Sequence, residues 1–136
     1  MQYMMTLYTD LIIDLSKNPL NRRPMPDANA AASGANVTCG DRFRISIKLT
    51  ENGIMEDLSF QGEGCAISMA AASVVTEEGK GKNISEAMAW KAENIFGWLG
   101  AELGPSRVKC GMLPLEILQK ALARRTIRTR AKFSAS

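Results

Sequence analysis

Phe43-Arg44-Ile45-Ser46-Ile47-Lys48-Leu49-Thr50-Glu51-Asn52-Gly53-Ile54-Met55-Glu56-Asp57-Leu58-Ser59-Phe60 is the stretch on which the fold turns. Phe43, Ile45, Ile47 and Leu49 alternate with Arg42, Arg44, Ser46 and Lys48, the period of a strand with one buried face. Asn52-Gly53 is a strong turn dipeptide, and Ile54 to Phe60 can return antiparallel as the second arm of a hairpin. Glu56 interrupts the alternation of that return arm, which leaves its register open.

On either side the period changes to that of helices. Upstream, residues 3–17 place Met4, Leu7, Tyr8, Leu11, Ile12 and Leu15 on one helical stripe. Asn18-Pro19 stops it, since proline disfavours helical geometry in the residue before it. Residues 19–38 hold three prolines and a run of small residues from Ala28 to Ala35, the composition of a loop or weak edge segment. Downstream, Cys65 opens the alanine-rich run 66–79, with Gly79 where a helix C-cap would stand. Asn83 and Glu86 have the spacing of a capping box, predicting a helix from Ile84, and helical sequence continues toward Leu103 before Gly104-Pro105. Pro114 suits a first helical turn, followed by a stripe of Leu115, Leu118, Leu122 and Ile117. Helix, hairpin, then several helices predicts an α+β domain, a small antiparallel β-sheet packed against α-helices.

The chain has 136 residues, 46% hydrophobic and 23% charged, enough for one domain with a real core and too apolar for whole-chain disorder. No run approaches the roughly 18 apolar residues of a membrane span, and no secretory signal pattern opens the chain. Three cysteines cannot complete a disulfide framework, so the expectation is a cytoplasmic protein with reduced thiols. The net charge of +3 is unevenly spread. Arg124, Arg125, Arg128, Arg130 and Lys132 carry it without a single acid after residue 123; the 12 remaining basic residues face 14 acidic ones. The expectation is one domain over 1–123 and a solvated basic tail over 124–136. No aromatic side chain interleaves with those arginines, which argues against a nucleic-acid module.

Cys39, Cys65 and Cys110 are 26 and 45 positions apart, so no CxxC pair forms locally and any joint action must be assembled by the fold. Each adjoins a glycine at the edge of a predicted element. A cysteine taken alone is commonly a small buried hydrophobe; three in like settings point to a shared site. A helix N-terminus favours the thiolate that binds metal or attacks sulfur, and Arg107 and Lys109 beside Cys110 are expected to push the same way. Asp41, two residues beyond Cys39, would in an extended chain lie about 6–7 Å along on the same side as the thiol. It either supplies an oxygen ligand beside three sulfurs or serves as an ordinary turn aspartate. Histidine is absent, which excludes Ser-His-Asp and Cys-His catalysis and His-built metal sites. Gly79-Lys80-Gly81-Lys82 lacks the pattern of a phosphate-binding loop.

Asn36-Val37-Thr38-Cys39-Gly40-Asp41, Gly62-Glu63-Gly64-Cys65-Ala66-Ile67-Ser68 and Arg107-Val108-Lys109-Cys110 with Leu113 beyond resemble the three cysteine motifs of the NifU N-terminal/IscU/SufU iron–sulfur cluster assembly scaffold family. The similarity runs over residues 5–123, and Tyr8, Asp14 and Lys17-Asn18-Pro19 most resemble SufU. The resemblance implies a SufE/NifU-like α+β fold and a surface site where Cys39, Asp41, Cys65 and Cys110 hold a metal, zinc or iron, or a labile [2Fe–2S] cluster. It implies sulfur delivered as persulfide by a pyridoxal-phosphate (PLP) cysteine desulfurase of the SufS/IscS/NifS kind, and a cluster passed to recipient apo-proteins.

Two departures set this chain between subfamilies. Lys109 stands where IscU members carry a histidine, as in SufU; protonated near neutral pH, it is a poor ligand, so Arg107 and Lys109 are expected as partner or gating residues. The insertion that SufU proteins carry between the second and third cysteines is missing, and Gly104-Pro105-Ser106-Arg107-Val108-Lys109 does not match IscU's chaperone-binding Leu-Pro-Pro-Val-Lys segment. The leading expectation is an assembly scaffold without turnover chemistry of its own. Against it stands a zinc-containing sulfurtransferase of SufU type, with Cys39 on a mobile glycine loop as persulfide acceptor and Cys110 as the alternative. A zinc-stabilised interaction domain without sulfur chemistry is the third reading.

Overall fold

A computed structural model describes the backbone of residues 2–135 and the side chains of residues 10–124. Three strands, β1 (Ala30–Asn36), β2 (Asp41–Leu49) and β3 (Met55–Glu63), form one antiparallel sheet in the order β1-β2-β3. Five helices complete the α+β fold: α1 (Gln2–Lys17), α2 (Ala66–Gly79), α3 (Ile84–Met88), α4 (Ala92–Leu99) and α5 (Pro105–Ala135).

The alternation in β2 sets the inner face, where Phe43, Ile45 and Ile47 are buried with Leu58 and Phe60 of β3. Phe43 and Phe60 meet edge to face at 5.8 Å. Lys48 pairs with Asp57 but Leu49 pairs with Met55, so Glu56 is an extra residue in β3. That bulge explains the broken alternation: it lets Met55 and Leu58, three positions apart, both enter the core. Asn52-Gly53 sits inside a connection spanning 50–54, with Gly53 at φ 80°. The small-residue segment expected to be weak is the edge strand β1.

Helix α2 runs through the middle of the protein, with Ala70, Ala71, Ala72 and Val75 fully buried. Its alanines let α1, α5 and the sheet all approach it. Gly79 closes α2 as its last helical residue, and the left-handed position falls at Gly81, φ 81°. Asn83 caps α3 by accepting from the Glu86 amide. Helical structure does not continue to Leu103: α3 stops at Met88, and α4 ends at Leu99 against the left-handed Gly100. In the expected stripe of α1, Leu15 is buried while Leu11 is exposed; the side chains of Met4, Leu7 and Tyr8 lie outside those described.

The largest difference concerns α5. Its first turn is at Pro105, with the Gly104 carbonyl accepting from Arg107 and Val108, and Pro114 is interior. Both prolines suit a first turn by sequence; Gly104-Pro105 takes that role, and the helix carries on through Pro114 because Leu113, Leu115, Ile117, Leu118 and Leu122 are buried against the core. The helix also includes residues 124–135 of the basic segment. Among the described residues, no helix is long and apolar enough to cross a membrane.

Candidate metal centre

Cys39 occupies the turn joining β1 to β2, Asp41 is the first residue of β2, Cys65 precedes α2, and Cys110 lies in the second turn of α5. The turn is closed by Cys39 N–H donating to the Asn36 carbonyl and Gly40 N–H to that of Val37. Gly40 has φ 72°, where a side chain would be strained. Cys39 and Asp41 are therefore brought together by a left-handed turn, not by the strand alternation expected for them.

One ligand atom each of Cys39, Asp41 and Cys110 lies within 4.8 Å of the others, and the Cys39 and Cys110 sulfurs are 2.9 Å apart. Cys39 is exposed, whereas Asp41 and Cys110 are 0% and 3% exposed. The three residues thus offer a buried floor and one accessible thiol.

Cys65 is not within that group of three. It caps α2, its sulfur accepting from the Ser68 amide at 3.5 Å, a place more often taken by a Ser or Asp oxygen. Its own amide donates to Asp41 Oδ1 at 2.8 Å, tying the fourth candidate ligand to the cluster. The Ser68 hydroxyl donates to the same Oδ1 at 3.0 Å. Asp41 Oδ2, fully buried, has no hydrogen-bond partner among the described residues. An orphaned carboxylate oxygen in the interior is costly unless a cation takes it, and two thiols within reach complete a donor set that suits zinc or iron. The residues fit such an ion.

Gly64 makes this arrangement possible. A Cβ there would stand 2.4 Å from both Asp41 Oδ1 and Ser68 Oγ, so any side chain displaces one of them.

The electrostatics of Cys110 differ from expectation. Burial first, then the neighbouring Cys39 and Cys65 thiols and the Asp41 carboxylate, push its thiol well above the ordinary cysteine range. Arg107 and Lys109 do not offset this. Both are exposed on α5, and burial and the neighbouring acidic groups outweigh them at Cys110. The expected helix N-terminus is absent too, because α5 begins five residues before Cys110. Crowded acidic groups of this kind are relieved by a bound cation.

Sequence reading assigned no role to Ser68 or Asn36. Ser68 stands three residues after the helix-capping Cys65, a spacing that signals a capped first turn, but its bond to Asp41 spans 27 positions. Asn36 Nδ2 lies 3.6 Å from Cys39 Sγ, a weak contact set by the turn.

Residues 7–132 match the NifU-like N terminal domain. The zinc-dependent sulfurtransferase SufU of Bacillus subtilis strain 168 is 36% identical, over 88% of this chain and 91% of the relative. That alignment spans 136 positions, more than this chain contributes to it, so the relative carries residues missing here. The iron–sulfur cluster assembly scaffold protein IscU of Escherichia coli K12 is 35% identical, covering 85% of this chain and 91% of its own. Among solved structures, FiSufU from Fervidobacterium islandicum AW-1 superposes with a TM-score of 0.71 at 31% identity, covering 86% of this chain and 97% of that one. A NifU-like N-terminal protein from Brucella abortus, at 17% identity and a TM-score of 0.70 over 88% and 95% of the two chains, shares the fold. With three thiols and one buried carboxylate on the same α+β frame, this chain belongs to the NifU-like N-terminal domain family.

Proposed function

We propose that this protein is a cytoplasmic iron–sulfur cluster assembly scaffold. It receives sulfur from a PLP-dependent cysteine desulfurase, builds a labile [2Fe–2S] cluster on Cys39, Asp41, Cys65 and Cys110, and yields it to recipient apo-proteins. The observation that carries this reading is the buried Asp41 carboxylate, one oxygen of which lies within 4.8 Å of two thiols while its Oδ2 has no hydrogen-bond partner among the described residues. Thiolates are the usual protein ligands of such clusters, and a single harder oxygen among them makes a weaker hold suited to release.

Cys39 is the sulfur acceptor, since it is the exposed thiol and rides on the Gly40 turn. Its thiolate attacks the outer sulfur of the desulfurase persulfide. The new S–S bond forms at Cys39 as the old one breaks, and the desulfurase thiolate leaves, so the step needs no external oxidant or reductant. Ferrous iron then enters as substrate, and reduction of each captured sulfane sulfur to sulfide takes two electrons, drawn in part from the iron and otherwise from an external thiol or electron-transfer reductant. Cys110, buried beneath Cys39, is placed to retain what the turn captures.

A zinc-dependent sulfur relay is the second reading, favoured by the same grouping of Cys39, Asp41 and Cys110 with Cys65 held aside as a helix cap. Three protein ligands with a free fourth position are the usual form of a zinc site that does chemistry. Zinc bound there would hold its thiols as thiolates.

Anaerobic incubation with cysteine, ferrous iron and a cysteine desulfurase separates the two. Charge-transfer absorption between about 300 and 600 nm, lost in Cys65→Ala, supports the scaffold. A colourless protein that still accelerates the desulfurase supports the zinc relay. A colourless protein without effect on the desulfurase contradicts both.

A further inference from the structure

The geometry points to Ser68 as the residue that positions Asp41 as a one-oxygen ligand. The inference rests on the metal-site reading above and adds a member to it that touches neither metal nor sulfur substrate.

Ser68 is fully buried in the first turn of α2. Its hydroxyl has two acceptors at 3.0 Å, Asp41 Oδ1 and the Cys65 carbonyl. The carbonyl already accepts from the Met69 amide at 3.0 Å, within the helical ladder. One proton and a choice between a satisfied carbonyl and a carboxylate favour the carboxylate, the stronger acceptor. Asp41 Oδ1 then takes two donors, the Ser68 hydroxyl and the Cys65 amide.

With Oδ1 doubly bonded toward α2, the carboxylate plane is fixed and Oδ2 remains the one oxygen for a cation. A carboxylate held by one donor could rotate and offer both oxygens, the mode larger cations use. Ser68 thereby favours a small tetrahedral ion such as zinc. Gly64 guards the same bond, because any Cβ there would strike both of its partners.

The test is zinc affinity of the full chain, measured by competition with a chromophoric chelator, for wild type, Ser68→Ala, Asp41→Ala and the double variant. Ser73→Ala is the control. Ser73 is equally buried in α2, and its hydroxyl accepts from the Leu20 amide away from the thiols. Ser68→Ala is expected to bind zinc about 10- to 100-fold more weakly, the usual effect of removing a group that orients a ligand. In the Asp41→Ala background the same substitution should cost little more, and Ser73→Ala should keep wild-type affinity. Unchanged affinity in Ser68→Ala overturns the role of Ser68, as does a loss that persists in full without Asp41. Failure of the wild type to bind zinc contradicts instead the metal-site reading beneath it.

Discussion

The sulfurs of Cys39 and Cys110 lie 2.9 Å apart although 71 positions separate them in the chain. One belongs to an exposed turn at the end of the sheet and the other to the buried side of a long helix. Two thiols so close, in such different surroundings, are suited to different tasks, one to exchange sulfur and one to anchor.

Cys39→Ser is therefore expected to fold with stability within about 0.5 kcal/mol of wild type, as for other exposed substitutions. It should fail to gain a sulfur atom from a charged desulfurase, read by intact-protein mass spectrometry under non-reducing conditions. A full-yield mass gain in Cys39→Ser would reassign the acceptor, with Cys110 next to be tested.

Asp41→Ala removes the only oxygen of the set. Loaded with a [2Fe–2S] cluster, it should pass that cluster to an apo-ferredoxin more slowly than wild type, because an all-sulfur hold releases less readily. Faster transfer by the variant would show that Asp41 does not keep the cluster labile.

Gly64→Ala forces a methyl against Asp41 Oδ1 and Ser68 Oγ, each 2.4 Å from its position. A loss of about 1–3 kcal/mol in urea unfolding is expected, the range for overpacked sites, together with weaker zinc binding. Wild-type stability and affinity would mean that the link between β2 and α2 shifts at no cost.

Metal binding should be sharply pH-dependent. The Cys110 thiol is held above its ordinary range, chiefly by burial, so it is protonated in the metal-free protein at neutral pH. Its proton must leave when metal binds. Zinc affinity should then rise with pH, by about tenfold per unit for each proton released, and fall in acid. A flat profile between pH 6 and about 8 would place the metal away from Cys110.

Much of this was readable from local pattern. The alternation of Phe43, Ile45 and Ile47 gives the inner face of β2, and even the misfit at Glu56 was a true signal, the bulge in β3. The cysteine motifs single out Cys39, Asp41 and Cys110, which the fold brings within 4.8 Å of one another, and Cys65, whose amide it ties to Asp41. What escaped depends on contacts between distant segments. Pro105 and Pro114 offer equivalent first-turn chemistry, and only burial of the Leu113–Leu122 face decides that α5 starts at the earlier one. That choice puts Cys110 inside a helix, where burial reverses the activation expected from Arg107 and Lys109. Ser68 carries no local signal of its bond to Asp41 for the same reason, since that partner lies on another element.

The most direct test of the account is zinc-edge X-ray absorption on the zinc-loaded protein. A shell of two or more sulfurs near about 2.3 Å plus an oxygen near about 2.0–2.2 Å is predicted, with the oxygen contribution reduced in Asp41→Ala. A shell without sulfur, or one that Asp41→Ala leaves unchanged, would contradict the site assembled from Cys39, Asp41 and Cys110.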